Sequence, residues 1–169
     1  LSNKDLGEKL TWRFRVANDS NVGYFLVRDA DSLISARESE AVEIWKKSGC
    51  YFHVMRDWWT HTDLVLAGMW GGVAGVLPDM VKLYQGYASK HVATPNIDQW
   101  FLRDRVWAMI RESCLVHDRC FKAQNSQNYP SLPQGLGHIG QNEWAVREAE
   151  QAEFLRVWIQ QLPCLSAKT

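Results

Sequence analysis

Two aspartates, Asp29 and Asp31, follow the apolar run at residues 24–27 and are separated by one residue. The run is short and rich in β-favouring side chains, which predicts a buried central strand at about residues 22–28. Because side chains alternate along a strand, an extended backbone through the aspartates would put both carboxylates on one face. Such oxygen ligands suit Mg²⁺ or Mn²⁺, which keep positions open for substrate phosphates, and Arg28 beside them could offset their repulsion or contact a phosphate. The alternative is a strand that ends in a polar turn.

A second apolar strand is predicted at residues 50–55, and like the first it ends in an Arg-Asp pair, with Asp57 as the carboxylate. Proteins with α/β folds place their sites at the carboxyl ends of strands. We therefore expect Val27 and Val54 to lie in neighbouring buried strands of one sheet. The three aspartates would then converge on one cleft.

Capping residues and periodicity predict the other elements. Ser35 stands three residues before Glu38, the spacing of a capping box, and Gly49 follows as a C-terminal stop. A short strand is predicted at residues 114–118, and the stretch 122–141 is predicted to be a loop, long enough for a lid or an acceptor loop. Helices are predicted at residues 1–11, 35–47, 78–89, 97–112 and 143–161, the last capped by Asn142.

The composition indicates one globular domain. The 169 residues are 46% hydrophobic, and a chain of this length buries about 70% of its unfolded surface. The 19 basic and 19 acidic residues balance, so neither nucleic acid nor an anionic membrane is expected as a partner. No apolar run approaches the ~20 residues of a membrane span.

The cysteines do not form a C-x-x-C pair, which argues against a zinc site. We expect them to be reduced in a cytoplasmic protein, with the Golgi lumen as the alternative for a eukaryotic source. They are Cys50, Cys114, Cys120 and Cys164.

Several short motifs occur in a fixed order along the chain. They are R-D-A-D-S at 28–32, R-E-S-E-A-V at 37–42, W at 45, F-H-V-M-R-D at 52–57, G-M-W-G at 68–71, D-Q-W-F-L at 98–102, V-W at 106–107, V-H-D at 116–118 and I-G-Q at 139–141. With this set the sequence resembles a group of bacterial and algal glycosyltransferase-like proteins over about residues 12–141. It departs from their pattern at Ala67, where glycine is usual, and at Trp58-Trp59, where a His-Pro pair is common.

The resemblance implies an α/β fold of the GT-A type, with a mixed sheet, and metal-dependent transfer of a sugar from a nucleotide-sugar to a glycan or another acceptor. The D-x-D motif would bind Mn²⁺ or Mg²⁺ and the donor diphosphate, with His117 as a third metal ligand beside Asp29 and Asp31. Asp57 and Asp98 are the candidate catalytic residues, and Asp98 would act as a base or stabilise an oxocarbenium ion. The candidate residues for binding the donor are Arg28, Asp29, Arg37, Gly68, Trp70 and Gly71.

The glycines of residues 64–76 have a second interpretation. They could let a ligand approach the backbone closely. Without the resemblance, this apolar stretch predicts a buried strand followed by a tight turn.

Part of the donor site is expected to be missing. In GT-A enzymes the base and ribose of the donor lie largely in the first βαβ portion, before the D-x-D strand. Only 28 residues precede Asp29, whereas a βαβ unit takes about 30 or more, so we expect that portion to be truncated or absent. The sheet edge beside the D-x-D strand would then be unpaired and open to formation of a homo-oligomer.

Two other functions stay open. A sugar- or nucleotide-binding module, or an assembly module, could keep the fold without turnover, and release of nucleotide from a sugar donor would separate it from an enzyme. A metal-dependent phosphohydrolase of the haloacid-dehalogenase type also has D-x-D after an apolar strand. It needs a later lysine and a second acidic pair, and the sequence contains neither Asp-Asp nor Gly-Asp-x-x-x-Asp.

Overall fold

The computed structural model of the chain describes residues 3–92, 94–122, 125–131 and 137–142. The predicted helix 143–161 lies outside these ranges. The helices are α1 (Asn3–Arg15), α2 (Ala36–Ser48), α3 (Met80–Ala88), α4 (Ile97–Phe101) and α5 (Trp107–Ile110), and the strands are β1 (Tyr24–Arg28), β2 (Phe52–Arg56), β3 (Met69–Val73), β4 (Cys114–Asp118) and β5 (Ser126–Gln127).

The five strands form one mixed sheet in the order β1-β3-β2-β4-β5. Strand β3 is antiparallel to both β1 and β2, while β4 and β5 run parallel to β2. Four strands therefore point the same way, and β1, β2 and β4 end at one edge of the sheet. The prediction that Val27 and Val54 lie in one sheet is confirmed. The prediction that their strands are neighbours is wrong, because β3 lies between them.

Helices cover both faces of the sheet. On one face the main core joins the sheet to the first, third and fourth helices through side chains such as Phe14, Trp70, Tyr84 and Phe101. On the other face a smaller cluster joins α2 and two later residues to the sheet; its members are Ala41, Met55, Met69, Tyr129 and Ile139. We call these the α1 face and the α2 face.

The predicted helix boundaries follow from their caps. Ser35 accepts a hydrogen bond from the Glu38 backbone N–H at 3.1 Å, and Gly49 ends α2 with φ of 79°, a left-handed conformation that glycine adopts without strain. Asp79 caps α3 by accepting from the Lys82 N–H at 3.0 Å. The predictions of Ser35 and Gly49 as the two ends of α2 are confirmed, and the helix predicted at 78–89 is observed as α3.

Strand β1 differs from its prediction in two ways. It lies at an edge of the described sheet rather than at its centre, and Tyr24 and Leu26 are exposed while Phe25 and Val27 are buried. It also ends at Arg28, and the Ser32 N–H bonds the Asp29 carbonyl at 3.1 Å to close a turn. The extended backbone considered for the D-x-D motif is therefore wrong, and the polar turn is correct.

Two helical segments are longer or less regular than predicted. Helix α1 runs to Arg15 rather than ending at residue 11. Between α4 and α5 the chain forms a π-helical segment, Leu102–Val106, and a 3₁₀ turn, Arg111–Ser113, follows α5. The region predicted as one helix at 97–112 is thus helical throughout but changes its hydrogen-bonding pattern three times. Within the described ranges, none of the helices combines the length and apolarity needed to cross a membrane.

Candidate functional site

The most accessible acidic side chains of the predicted site follow the C-terminal end of β1. Asp31 is exposed in the turn that follows the strand, and the Asp29 side chain is 53% exposed. The same turn is held by the 137–142 segment, because the Leu33 N–H donates to the Gln141 carbonyl at 2.9 Å and Ser32 forms an antiparallel bridge with Asn142. The D-x-D turn is therefore fixed at both of its ends while its two carboxylates face solvent.

Arg13 links Asp29 to Asp98. Its Nη2 atom is 3.4 Å from Asp29 Oδ1, and its Nη1 atom is 2.9 Å from Asp98 Oδ2. Burial raises the pKa of the Asp98 carboxyl, and the guanidinium of Arg13 opposes that rise. Helix α1 supplies Arg13 from its last turn, and α4 supplies Asp98 from its first turn.

Gly68 completes this group. A Cβ atom at Gly68 would lie 2.6 Å from Asp29 Cγ and still closer to Oδ2. The Asp29 carboxylate therefore occupies the space that any larger residue would need. This close approach explains the glycine, and it places Gly68 beside the D-x-D turn.

Asp57 follows the C-terminal end of β2, on the same side of the sheet as the end of β1, but it is fully enclosed. Both Nη atoms of Arg37 donate to its carboxylate, and the bond from Nη2 to Oδ1 is 2.8 Å long. Arg119 Nε lies 3.1 Å from the same Oδ1 atom. The Ile139 backbone N–H donates to Oδ2 at 2.8 Å. Asp57 is therefore contacted by nitrogen atoms of three residues. None of its surface is exposed, so it offers no surface to a ligand. Arg37 also donates to the Ser131 carbonyl at 2.7 Å, so this ion pair anchors the chain at Ser131 and at Ile139.

Arg28 turns away from the aspartates that follow it. Its Nε atom pairs with Glu38 Oε1 on α2, and its Nη1 atom donates to the Val27 carbonyl at 2.6 Å. It thus binds α2 to the end of β1 on the α2 face. The Glu38 of the capping box serves this pair as well as the helix.

His117 lies in the interior of the α2 face. Its Nδ1 atom is 2.7 Å from His53 Nε2, and its ring stacks on Tyr129. Burial lowers the pKa of His117 to about 4. Within the described residues, no three His, Cys, Asp or Glu side chains are grouped as a metal site, so His117 does not join Asp29 and Asp31 in one.

Trp70 and Gly71 support the pairing of β1 with β3. Trp70 is completely buried and meets Phe25 edge to face at 5.2 Å. A Cβ at Gly71 would meet the Phe25 carbonyl oxygen and would lie 2.7 Å from Leu26 Cδ2. Both residues are occupied by cross-strand packing, which is the alternative interpretation of this glycine-rich stretch.

The predicted residues therefore separate into two sets. Asp29, Asp31, Asp98 and Gly68 lie at the accessible end of β1 with Arg13, and this is the group we call the Asp29 site. The residues of the second set are engaged in buried ion pairs, in the histidine pair or in packing within the sheet. They are Arg28, Arg37, Asp57, Trp70, Gly71 and His117.

Two arginines that contact these carboxylates were not predicted. Arg13 and Arg15 both lie in the last turn of α1, and nothing in the local sequence distinguishes the one that reaches Asp29. Arg119 directly follows the V-H-D motif at the end of β4. Basic residues just after a strand end are a usable signal, because strand ends of one direction meet at one edge of the sheet.

Comparisons with protein-family models, with curated proteins and with solved structures each found no match.

Proposed function

We propose that the chain is a glycosyltransferase-type protein that binds a nucleotide-sugar through a divalent cation at the Asp29 site. The observation that carries the proposal is that Asp29 and Asp31 face solvent in a fixed turn, at the edge where β1, β2 and β4 all end. Asp29 also pairs with Arg13, but its side chain stays 53% exposed, whereas the side chains of Asp57 and Asp118 are buried within their arginine pairs. Exposed carboxylates at a strand end suit a cation that also binds a substrate phosphate.

The residues present fit Mg²⁺ or Mn²⁺. Both ions prefer carboxylate oxygens and bind to proteins through one or two carboxylates, with substrate phosphates filling further positions. Asp29 and Asp31 would hold the ion. When bound, such an ion neutralises charge on a departing diphosphate.

The other residues of the site have supporting roles in this proposal. Gly68 leaves room for the Asp29 carboxylate, and Asp98 holds Arg13 against α4. Asp57 and Arg37 fix the segments that carry the D-x-D turn and its neighbours, so they position the site without contacting the donor. The GT-A fold itself is part of the proposal and is supported by the five-stranded mixed sheet flanked by helices.

One observation favours the second candidate, a binding module without turnover. The two residues predicted to be catalytic are both held by the protein. Asp57 is fully enclosed, and the Asp98 side chain is 5% exposed and ion-paired with Arg13. A general base has to reach the proton that it takes, and neither carboxylate is free to do so in this arrangement.

A thermal-shift experiment tests the metal and nucleotide site. Mn²⁺ together with UDP or GDP should raise the melting temperature, since a ligand at about 100 times its Kd adds about 2.7 kcal/mol of stability. Asp31→Asn should abolish the rise. Glu112→Gln removes one carboxylate from an exposed pair elsewhere and should retain it. A rise that is unchanged in Asp31→Asn would contradict the assignment.

Turnover decides between the two candidates. The wild-type protein is incubated with Mn²⁺ and a panel of nucleotide-sugars, and release of nucleoside diphosphate is followed. Metal-dependent release supports the transferase. Binding without release, in the presence of an acceptor panel, supports the module.

A further inference from the structure

We propose that Arg13 is the positioning residue for the donor diphosphate: it neutralises Asp29 in the free protein and turns to the diphosphate when a divalent cation occupies that carboxylate. The inference rests on the proposed function, because it takes Asp29 as a ligand of the cation. It assigns a role to a residue outside every motif considered above.

The two ion pairs of Arg13 are unequal. The contact from Nη1 to Asp98 is 2.9 Å long and reaches a side chain that is 5% exposed. The contact from Nη2 to Asp29 is 3.4 Å long and reaches a side chain that is 53% exposed. Charge-assisted N–H···O bonds are normally about 2.7–2.9 Å long, so one arm of the guanidinium is anchored and the other is loosely held.

This asymmetry suits a group that exchanges partners. The guanidinium carries five donors in a rigid planar fork, and it binds phosphate as well as carboxylate. Because the nearly buried Asp98 holds Nη1, the loosely held Nη2 can leave Asp29 without releasing the whole side chain. The Arg13 side chain is 26% exposed, so a ligand in solvent can reach it.

A cation on Asp29 supplies the reason for the exchange. A metal ion and a guanidinium compete for the same carboxylate. Because both are positively charged, they repel each other when they bind its two oxygens together. Metal binding therefore frees the Nη2 arm beside the place where the proposal puts the phosphates. Arg13 then offsets part of the diphosphate charge while Asp98 keeps its orientation.

The test compares Arg13→Gln with Arg15→Gln, which removes the same charge from an exposed position in the same helical turn. Mn²⁺ affinity is measured first without nucleotide, by electron paramagnetic resonance of the free ion. The affinities for UDP and GDP are then measured by calorimetry at saturating Mn²⁺. Circular dichroism checks that each variant is folded.

Arg13→Gln should bind Mn²⁺ alone about two- to five-fold more tightly, the range for loss of one exposed competing ion pair. It should bind the diphosphate about ten-fold more weakly, the loss of roughly one charge-assisted contact. Arg15→Gln should change neither affinity by more than about two-fold, as expected for a screened surface charge. If Arg13→Gln does not fold because Asp98 is left without its partner, the double variant Arg13→Gln with Asp98→Asn removes both charges and should show the same two shifts.

Unchanged affinities in a folded Arg13 variant would overturn the inference, and so would weaker binding of Mn²⁺ alone, which indicates a purely structural role. Wild-type protein that binds neither Mn²⁺ nor either diphosphate would overturn the proposed function and the inference with it. Wild-type protein that binds both while Arg13→Gln behaves like Arg15→Gln would overturn the inference alone.

Discussion

The Nε2 atom of His53 and the Nδ1 atom of His117 lie 2.7 Å apart on the α2 face of the sheet. Both side chains are completely buried, and the His53 ring stacks on Trp45 while the His117 ring stacks on Tyr129. A bond between two neutral imidazoles needs one ring nitrogen to donate and the other to accept. Protonation of the accepting nitrogen would remove the bond, and protonation of either ring would place a charge in the core.

This pair predicts loss of stability in mild acid. Burial lowers the pKa of His53 to about 2 and that of His117 to about 4, below the value of about 6.5 in an unfolded chain. Below pH ~6.5 the unfolded state binds more protons than the folded state, so the free energy of unfolding falls with pH by about 1.4 kcal/mol per unit for each histidine. The loss continues down to about pH 4 for His117.

Denaturant titrations at pH 7.5 and pH 5.5 measure this loss, which should reach about 3 kcal/mol for the pair. The double variant His53→Gln with His117→Gln should have a flatter pH dependence by about that amount, whatever its stability at pH 7.5. An equal slope in the double variant would contradict the prediction.

Loss of the Asp57 carboxylate should destabilise the protein strongly. Asp57→Asn removes the counter-charge of Arg37 and Arg119 in a fully buried site, and breaking a buried pair typically costs about 3–5 kcal/mol. Urea titration of the variant measures the change. Glu43→Gln, in the exposed pair with Lys46, is the control and should leave the free energy of unfolding unchanged within error.

Gly68→Ala should disturb the Asp29 site. The added Cβ would overlap the Asp29 carboxylate, and forced packing of this kind costs about 1–3 kcal/mol. The displaced carboxylate should also bind Mn²⁺ more weakly. Gly86→Ala is the control, because Gly86 lies exposed in α3 with open space around it, and alanine there should stabilise the helix by about 0.5–1 kcal/mol. Thermal denaturation with and without Mn²⁺ compares the two variants.

The position and exposure of strand β1 predict that the protein forms dimers through this strand. It is an edge strand within the described sheet, and Tyr24 and Leu26 expose 52% and 42% of their surfaces there. Edge strands with apolar side chains pair readily with other chains, and a lysine on the edge opposes such pairing. Sedimentation equilibrium at tens of micromolar should therefore detect dimers of the wild-type protein.

Leu26→Lys should shift that equilibrium towards monomer. Val92→Lys adds the same charge at an exposed apolar residue beyond α3 and should not. A wild-type protein that stays monomeric over this concentration range would refute the association.

Much of the secondary structure could be predicted from the sequence, because its signals are local. A cap involves only residues next to a helix end, so Ser35 and Gly49 mark the ends of α2 that the structure has. The strands β2 and β4 are short apolar runs bounded by polar residues, and they also lie where their patterns placed them. Strand β5, two residues long, carried no such signal.

The composition of the Asp29 site was decided by packing. Asp29 and Asp57 follow similar strands and have similar neighbours in sequence, yet one faces solvent and the other is enclosed by Arg37, Arg119 and Ile139. The difference arises because α2, Tyr129 and Ile139 close the α2 face, whereas the Asp29 carboxylate lies against Gly68 and Arg13 near the surface.

The sequence by itself determined the α/β class, the two ends of α2 and the acidic pair at the end of β1. Tertiary structure alone decided that β3 separates β1 from β2, that Arg28 and Arg37 serve buried carboxylates, and that Arg13 reaches Asp29 and Asp98. Capping and periodicity act over a few residues, whereas an ion pair between residues 13 and 98 depends on where two helices come to lie on the same face of the sheet. That placement is set by the apolar core as a whole, and no short motif encodes it.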